Sequence, residues 1–363
     1  MLIVIVILVL SVAVMLFMQH PQFGKAASGD RLERIKNSPN YRDGKFQNLS
    51  YTPDLKEGTS YYTVMKDFFF NKSKRSRPPH ILPSVKTDLH TLSADKNTMV
   101  WFGHSSYFLQ IDGKRILVDP VFSGNASPVK FTTKSFTGSD VYTVSDIPVI
   151  DYLFITHDHY DHLDYQTILQ LKPKIKKVIT GLGTGAHLER WGIDKNNIIE
   201  KDWNEEVMLD HGFIVNTTAG RHFSGRGFKR NGSLWMSFVL TTPGMKVFIG
   251  GDSGYDTHFK EIGNKYGPFD IAILECGQYN EYWKYIHMMP EEVVQAAIDL
   301  QAQVLMPVHW SKFSLALHAW DDPVIRVTRE SKKKNVPIIN PMIGEEVDLK
   351  KTGIYTTWWK NVA

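Results

Sequence analysis

Residues 157–162 bring three histidines and two aspartates into one short stretch, His-Asp-His-Tyr-Asp-His. Imidazole and carboxylate groups together are the ligands that zinc and other first-row divalent ions prefer. The apolar run at 151–155 is typical of a buried strand, and residues 163–171 carry apolar side chains at helical spacing. The cluster is therefore predicted to lie on a loop between a strand and a helix, where neighbouring side chains can surround one centre.

The spacing within this motif is suited to two metal ions. His157 and His159 are predicted to share one ion, and Asp161 and His162 a second. The alternative interpretation is a solvated polar loop with incidental histidines. The density of potential ligands argues against that alternative, because such clusters are rare outside metal sites.

The pattern H-x-H-x-D-H after a strand resembles the signature of the metallo-β-lactamase superfamily. The resemblance narrows to the branch that contains N-acylphosphatidylethanolamine-hydrolysing phospholipase D, and it spans roughly residues 97–322. The matching stretches are Trp-Phe-Gly-His-Ser at 101–105, Gly-Asp-Ser-Gly-Tyr at 251–255, Tyr-Ile-His-Met-Met-Pro-Glu-Glu at 285–292 and Pro-Val-His-Trp at 307–310. The resemblance implies an α/β (α+β) fold, a four-layer αβ/βα sandwich with a two-metal site at one edge.

The resemblance also implies three further ligands: a later histidine, a bridging aspartate and a last histidine. The sequence offers His222, Asp252 and His309 for these places, and each follows an apolar run that is predicted to be a strand. The complete implied set is His157, His159, His222 and Asp252 for the first ion, and Asp161, His162, His309 and Asp252 for the second.

The expected cofactor is two zinc ions, with other first-row divalent ions as the alternative. Such ions lower the pKa of a water molecule to about 7 and can hold a phosphoryl or acyl oxygen. Asp161 and Asp252 are therefore predicted to be catalytic as well as metal-binding, and no nucleophilic side chain is needed.

Five further residues are assigned places around the metal site. His287, in the third matching stretch, is predicted to be catalytic and substrate-binding, because it could bind a phosphate or protonate a leaving alkoxide. Tyr255 and Gln278 are predicted to bind substrate in the same cleft. His104 and Asp119, in the early strand hairpins, are predicted to orient the histidine ligands, although His104 could instead cap a turn.

The composition limits other functions. The chain has 363 residues and a net charge of only +4, so no nucleic-acid partner is expected. Cys276 is the single cysteine, which excludes an intramolecular disulfide framework and a cysteine-based zinc cluster. A homodimer is compatible with the sequence.

Residues 1–18 contain no charged side chain and would reach about 27 Å as a helix, close to the hydrocarbon thickness of a bilayer. An uncleaved transmembrane anchor is predicted, because the basic region that begins a signal peptide is absent. A cleaved signal peptide with export is the alternative. Positive charges follow between residues 25 and 36 and favour a cytoplasmic catalytic domain.

Residues 19–96 lack a repeating pattern, so an extended N-terminal arm that packs on the main domain is predicted. Phe68, Phe69 and Phe70 precede four cations between residues 72 and 77, and this group could dock on an anionic membrane. The alternative is that the phenylalanines pack into the core. Strands and helices follow one another from residue 97 onward, which predicts one hydrolase domain over residues 97–363.

Together these features predict a membrane-associated, zinc-dependent hydrolase. The resemblance implies hydrolysis of N-acylphosphatidylethanolamine, a membrane phospholipid, to phosphatidic acid and an N-acylethanolamine, with the bilayer as partner. One alternative is hydrolysis of another ester: a lactone, a cyclic phosphodiester or a sugar phosphate. A second is a non-catalytic, membrane-tethered metal-binding protein.

Overall fold

Two β-sheets lie face to face at the centre of the computed structural model, which describes residues 1–351 and 355–362. The described strands are β1 (Tyr41–Arg42), β2 (Lys45–Phe46), β3 (Thr98–Trp101), β4 (Tyr107–Ile111), β5 (Lys114–Val118), β6 (Ile150–Ile155), β7 (Ile175–Gly181), β8 (Ile198–Lys201), β9 (Glu206–Met208), β10 (Ile214–Thr218), β11 (Ser237–Thr241), β12 (Lys246–Ile249), β13 (Ile271–Glu275), β14 (Leu305–Val308) and β15 (Glu346–Asp348). The described α-helices are α1 (Leu2–Met18), α2 (Asp30–Lys36), α3 (Tyr61–Phe70), α4 (Tyr165–Leu171), α5 (Gly185–Arg190), α6 (His258–Tyr266), α7 (Pro290–Asp299) and α8 (Asp322–Lys334).

Each sheet combines antiparallel hairpins with parallel strands. The first has the order β15-β3-β4-β5-β6-β7-β8, and the second has the order β14-β13-β12-β11-β10-β9. Strands β5 to β8 pair in parallel, as do β12, β13 and β14. The carboxyl ends of parallel strands lie at the same edge of a sheet, and α/β proteins bind their ligands beyond that edge.

The side chains of β6 show why the sheets stack. Leu153 and Ile155 belong to the apolar cluster that includes α4 and α5, whereas Phe154 points to the opposite face, as alternation along a strand requires. Phe154 packs edge-on against Phe238 of β11, with 5.0 Å between the ring centroids. Helices α7 and α8 contribute to the same central cluster from the second sheet. The predicted mixed α/β sandwich is therefore confirmed.

Helix α1 has 17 residues, and none of them is buried. A membrane-spanning helix needs about 20 predominantly apolar residues. Within residues 1–351 and 355–362, no helix has both the length and the apolar character to cross a membrane. The transmembrane anchor that was predicted over residues 1–18 is therefore not supported.

The arm at residues 19–96 is more structured than the sequence pattern suggests, because it contains helices α2 and α3. The hydroxyl of Ser60 caps α3 by accepting the N–H of Thr63. Phe46 of the arm is fully buried in the central core, whereas Phe69 and Phe70 of α3 are 70% and 80% exposed. The last two phenylalanines of α3 therefore remain at the surface and do not enter the core.

Candidate metal centre

Three histidine nitrogens converge beyond the ends of β6 and β10. Nε2 of His157 lies 2.9 Å from Nδ1 of His159, and Nε2 of His222 lies 3.2 Å from that same Nδ1. Burial lowers the pKa of all three imidazoles, so each is neutral and offers a lone pair. The structure thus brings together the three histidines that were predicted to bind the first ion.

Asp252, just beyond β12, lies between this group and a second one. Its Oδ2 is 3.8 Å from Nε2 of His157, 3.7 Å from Nε2 of His222 and 3.2 Å from Nε2 of His162. Its Oδ1 is 3.2 Å from Nδ1 of His309. One carboxylate therefore faces both groups, which is the placement that a bridging ligand requires.

The second group comprises Asp161, His162 and His309, whose ligand atoms lie within 4.8 Å of one another and of His104. Burial alone would lower the pKa of His162, but the carboxylates of Asp252 and Asp161 raise it well above its usual value. The negative charge gathered around this imidazole therefore favours a cation.

Two buried atoms test whether metal ions fit these residues. Nε2 of His162 and Oδ1 of Asp252 are buried and have no hydrogen-bond partner among the residues that the structure describes. Buried polar atoms in proteins are otherwise almost always paired. Burial opposes ionisation of Asp161 and Asp252, yet the surrounding imidazoles hold the pKa of both carboxyls well below the usual range. Ionised carboxylates and imidazole nitrogens are ligands of divalent ions, and a bound cation would take the place of the proton that the carboxylates favour on His162. The residues therefore fit divalent ions.

Asp119 and His104 contact the predicted ligands directly. Oδ2 of Asp119 accepts the Nδ1–H of His162 at 2.7 Å, and Thr156 donates both its N–H and its hydroxyl to the same carboxylate. Nε2 of His104 lies 2.9 Å from Oδ2 of Asp161. A partner on the outer nitrogen of an imidazole fixes which nitrogen faces the metal. Asp119 thus contacts a ligand histidine, as its predicted orienting role requires, whereas His104 contacts the aspartate ligand Asp161. The orienting role of both residues stays a prediction.

The three residues that were predicted to bind substrate lie in different surroundings. His287 lines the cleft beside the metal ligands. Gln278 also borders this cleft, but its amide donates to two backbone carbonyls, including that of His309, and accepts a backbone N–H. The hydroxyl of Tyr255 donates to Asp299, and Tyr255 is not among the residues that line the cleft. Of these three residues, His287 is therefore the one that lines the cleft without its side chain being held by hydrogen bonds to other described residues.

The cleft over the metal ligands has a volume of about 370 Å³, within the range of small-molecule sites. Its floor is formed by ligands from both groups. Its walls are largely apolar and come from the arm and from two later loops: Leu55, Tyr61, Val64, Phe68, Trp283, Ile286 and Leu315. Apolar side chains from distant parts of the chain therefore surround the metal centre.

Asp158, inside the histidine motif, was given no role from the sequence. It accepts hydrogen bonds from the N–H of Gly225 at 2.7 Å and from the hydroxyl of Ser233 at 2.7 Å. Its Oδ2 also lies 3.2 Å from Nε2 of His187, whose Nδ1 accepts the N–H of Lys25 in the arm. Burial opposes the charge, but His187 holds the pKa of Asp158 well below its usual range. Asp158 therefore fixes the motif loop to the loop after β10 and to the arm.

Asn48 and Glu275 are two further residues at the site that sequence reasoning missed. The Asn48 side chain brackets His222: its amide donates to the His222 carbonyl at 2.8 Å and accepts the His222 N–H at 3.0 Å. Glu275, the last residue of β13, is buried beside His287. Neither residue belongs to a local motif, so no signal in the sequence singles it out.

Comparison with known proteins gives three findings. Residues 114–310, more than half of the chain, match the model of a family described as a beta-lactamase superfamily domain. An uncharacterised protein of Mycobacterium tuberculosis is 37% identical over 333 residues, which cover 90% of this chain and 88% of that protein. An N-acyl-phosphatidylethanolamine-hydrolysing phospholipase D of Caenorhabditis elegans is 29% identical over 228 residues, which cover 59% of this chain and 64% of that enzyme.

A solved structure supports the same fold. The structure of a metallo hydrolase from the archaeon Ignicoccus hospitalis matches 69% of this chain and 97% of its own, with a TM-score of 0.53 and 21% identity. At this identity the match shows a shared fold. The fold and the ligand geometry together agree with the sequence resemblance.

Proposed function

We propose that this chain, which belongs to the metallo-β-lactamase superfamily of metal-dependent hydrolases, cleaves the phosphodiester bond of N-acylphosphatidylethanolamine. The products would be phosphatidic acid and an N-acylethanolamine. The observation that carries the proposal is the set of divalent-metal ligands at the floor of a cleft with apolar walls. The Caenorhabditis elegans relative named for this activity supports the choice of substrate.

The proposed cofactor is two zinc ions, one in each group of ligands. Divalent ions bound there would activate a water molecule and hold an oxygen of the substrate. The chain contributes the arrangement of ligands: Asp252 offers one oxygen toward His309 and the other toward His157, His162 and His222. Asp119 and His104 hold the second group in its orientation.

His287 is the proposed proton donor. The N-acylethanolamine leaves as an alkoxide, which is a poor leaving group without a proton, and general acids typically contribute about 10²- to 10⁴-fold in rate. His287 borders the cleft, and its ring centroid lies 5.0 Å from that of His222 and 5.3 Å from that of His309. It therefore stands beside the ligands of both groups: a nitrogen of its ring lies within 4.8 Å of ligand atoms of His222 and Asp252.

The walls of the cleft suit a lipid, and helix α3 suits the surface in which that lipid resides. Tyr61 and Phe68 face the cleft, while Phe69 and Phe70 project from the same helix toward solvent. Lys72 lies over the ring of Phe68, 4.5 Å from its centroid, and further cations follow it in the chain. Exposed aromatics beside cations bind the interface of anionic bilayers. We propose that this face of α3 contacts the membrane that carries the substrate.

A hydrolysis panel tests the proposed substrate. Purified, zinc-loaded protein would be incubated with vesicles of N-acylphosphatidylethanolamine, with a lactone and with a cyclic phosphodiester. We expect release of N-acylethanolamine, and no release by the Asp252→Asn variant measured in parallel. Turnover of the lactone or the cyclic diester alone would replace the proposed substrate. No turnover of any compound would refute a hydrolase acting on these esters.

A further inference from the structure

The short segment that carries His287 is held from both sides. Nδ1 of His222 donates to the carbonyl of Ile286 at 2.8 Å, immediately before His287. The N–H of Met288, immediately after it, donates to Oε1 of Glu275 at 2.7 Å. The backbone around His287 is therefore fixed by one metal ligand and by one buried carboxylate.

The second oxygen of Glu275 faces the His287 ring. Oε2 of Glu275 lies 3.6 Å from Nδ1 of His287. Both atoms are buried, and neither has a hydrogen-bond partner within the described part of the chain. Because the ring borders the cleft and Nδ1 points to Glu275, Nε2 is the nitrogen left for the cleft. A small contraction would turn this approach into an Nδ1–H···Oε2 hydrogen bond.

We propose that Glu275 is the positioning residue of His287: it accepts the Nδ1–H and so keeps the proton of Nε2 directed at the leaving oxygen of the substrate. This inference rests on the proposed function, because only a poor leaving group needs that proton. Glu275 itself touches neither the substrate nor the reacting atoms. Its place in the site resembles that of the carboxylate that orients histidine in other acid–base pairs.

The reaction step balances with these groups. The oxygen of a water molecule forms a bond to phosphorus, and the bond from phosphorus to the alcohol oxygen of the N-acylethanolamine breaks. His287 gives its Nε2 proton to that departing oxygen. The proton lost by the attacking water returns His287 to its starting state, so no other reactant is needed.

The burial of Glu275 is consistent with this role. Only 1% of the residue is exposed, and it ends a central strand. Burial raises the pKa of Glu275 to about 7, against the lowering by His287. A buried carboxylate is stable only with a partner, and the His287 imidazole faces the oxygen that is unpaired within the described residues. The two side chains therefore act as a pair.

The substitution Glu275→Gln tests the inference in the full-length, zinc-loaded protein. The amide oxygen can still accept the Met288 N–H, but the side chain no longer carries a charge. We expect kcat for N-acylphosphatidylethanolamine to fall about 10- to 100-fold, the usual loss when a residue that orients a functional side chain is replaced. We expect little change for bis(4-nitrophenyl) phosphate, because nitrophenolate leaves without a proton. Metal content and the melting temperature should stay close to wild type.

Glu292→Gln is the matched control. Like Glu275, Glu292 accepts a backbone N–H of this segment, that of Met289 at 2.8 Å at the start of α7. In the described residues, no hydrogen bond or ion pair joins Glu292 to His287. Its substitution should leave both rates unchanged. Equal losses on both substrates in Glu275→Gln, or no loss on either, would overturn the positioning role.

A spectroscopic measurement on the wild-type protein separates this inference from the proposed function. In protein with ¹⁵N-labelled histidine, the ring signals of His287, assigned by their loss in His287→Ala, should show a proton on Nδ1 in addition to the one that Nε2 donates. In Glu275→Gln, whose amide can donate to Nδ1, the Nδ1 proton should be lost. The Nε2 proton would then remain on a neutral ring, which is a weaker acid. A wild-type His287 with Nδ1 unprotonated would overturn the inference even if the lipid is hydrolysed. If the Nδ1 proton is found as expected but the lipid is not hydrolysed, the proposed substrate is refuted and the contact between Glu275 and His287 is not.

Discussion

Asp252→Asn is the sharpest test of the metal centre, because both groups of ligands meet at this one carboxylate. Its Oδ2 lies between 3.2 and 3.8 Å from the ring nitrogens of His157, His162 and His222, and its Oδ1 lies 3.2 Å from that of His309. Asparagine keeps the shape of the side chain but replaces one oxygen with an NH₂ group, which cannot bind a cation. The variant therefore removes a ligand from one group and the charge from both.

The size of the effect can be bounded from weaker perturbations. Removing a partner that only orients a ligand costs about 10- to 100-fold in metal affinity or activity. Asp252 contacts both groups directly, so we expect a loss of more than about 100-fold in affinity for at least one ion. A fall in turnover of about 10³-fold would correspond to a barrier higher by about 4 kcal/mol.

The assay combines three measurements on the same preparation: metal content by mass spectrometry, turnover, and folding by circular dichroism. Asp43→Asn is the control, because Asp43 is exposed and asparagine tolerates its positive φ. The control should match wild type in all three. An Asp252→Asn protein that keeps both ions and wild-type turnover would show that this carboxylate does not bridge the two groups.

Three further outcomes are expected. Elemental analysis of gently purified protein should find about two zinc ions per chain, and fewer than one ion with no gain on adding metal would exclude a two-ion centre. The double variant Phe69→Ser and Phe70→Ser should lower sedimentation with anionic vesicles by more than about tenfold, since each buried phenylalanine contributes about 1.5–3 kcal/mol. Phe131→Ser, at another exposed phenylalanine, should not lower it; equal loss in both would assign the binding to general hydrophobicity. Burial lowers the pKa of His258 to about 4 in the folded chain, so the unfolded chain, with a pKa of about 6.5, takes up the proton first as the pH falls. The wild-type protein should therefore lose up to about 3 kcal/mol more unfolding free energy than His258→Gln when the pH falls from 6.5 to 4. Urea unfolding of metal-free wild type and variant at both pH values measures this difference. Equal losses in the two proteins would contradict the prediction.

The candidate metal ligands could be selected from the sequence because their signals are local. The motif around His157 places four candidates within six residues, and the strand that precedes it is apolar at every residue except Asp151. His222, Asp252 and His309 each stand a few residues beyond a strand, in the order that the family resemblance implies. Local spacing and chain order together were enough to select residues that the structure brings together. The comparisons confirm the superfamily, and metal binding by these residues stays a prediction.

Helix α3 could not be predicted in the same way. Its sequence is rich in aromatic and β-branched residues, which have modest helix propensity. Two contacts hold the helix: Ser60 caps its first turn locally, and Asp67 accepts a hydrogen bond from the hydroxyl of Tyr282, which is distant in the chain. A tertiary contact such as the one with Tyr282 leaves no periodic pattern in the sequence. The prediction of an extended arm therefore missed the helix that lines the cleft.

The arm and the metal centre depend on each other in a way that the linear domain division hides. Asn48 holds both backbone groups of His222, a residue 174 positions away in the chain. Lys25 holds His187, which holds Asp158 between two ligand histidines, and α3 supplies a wall of the cleft. A ligand whose backbone is fixed loses less entropy when it binds a metal, so we expect contacts made by the arm to add to metal affinity. The boundary that was predicted at residue 97 therefore separates two segments that position one site.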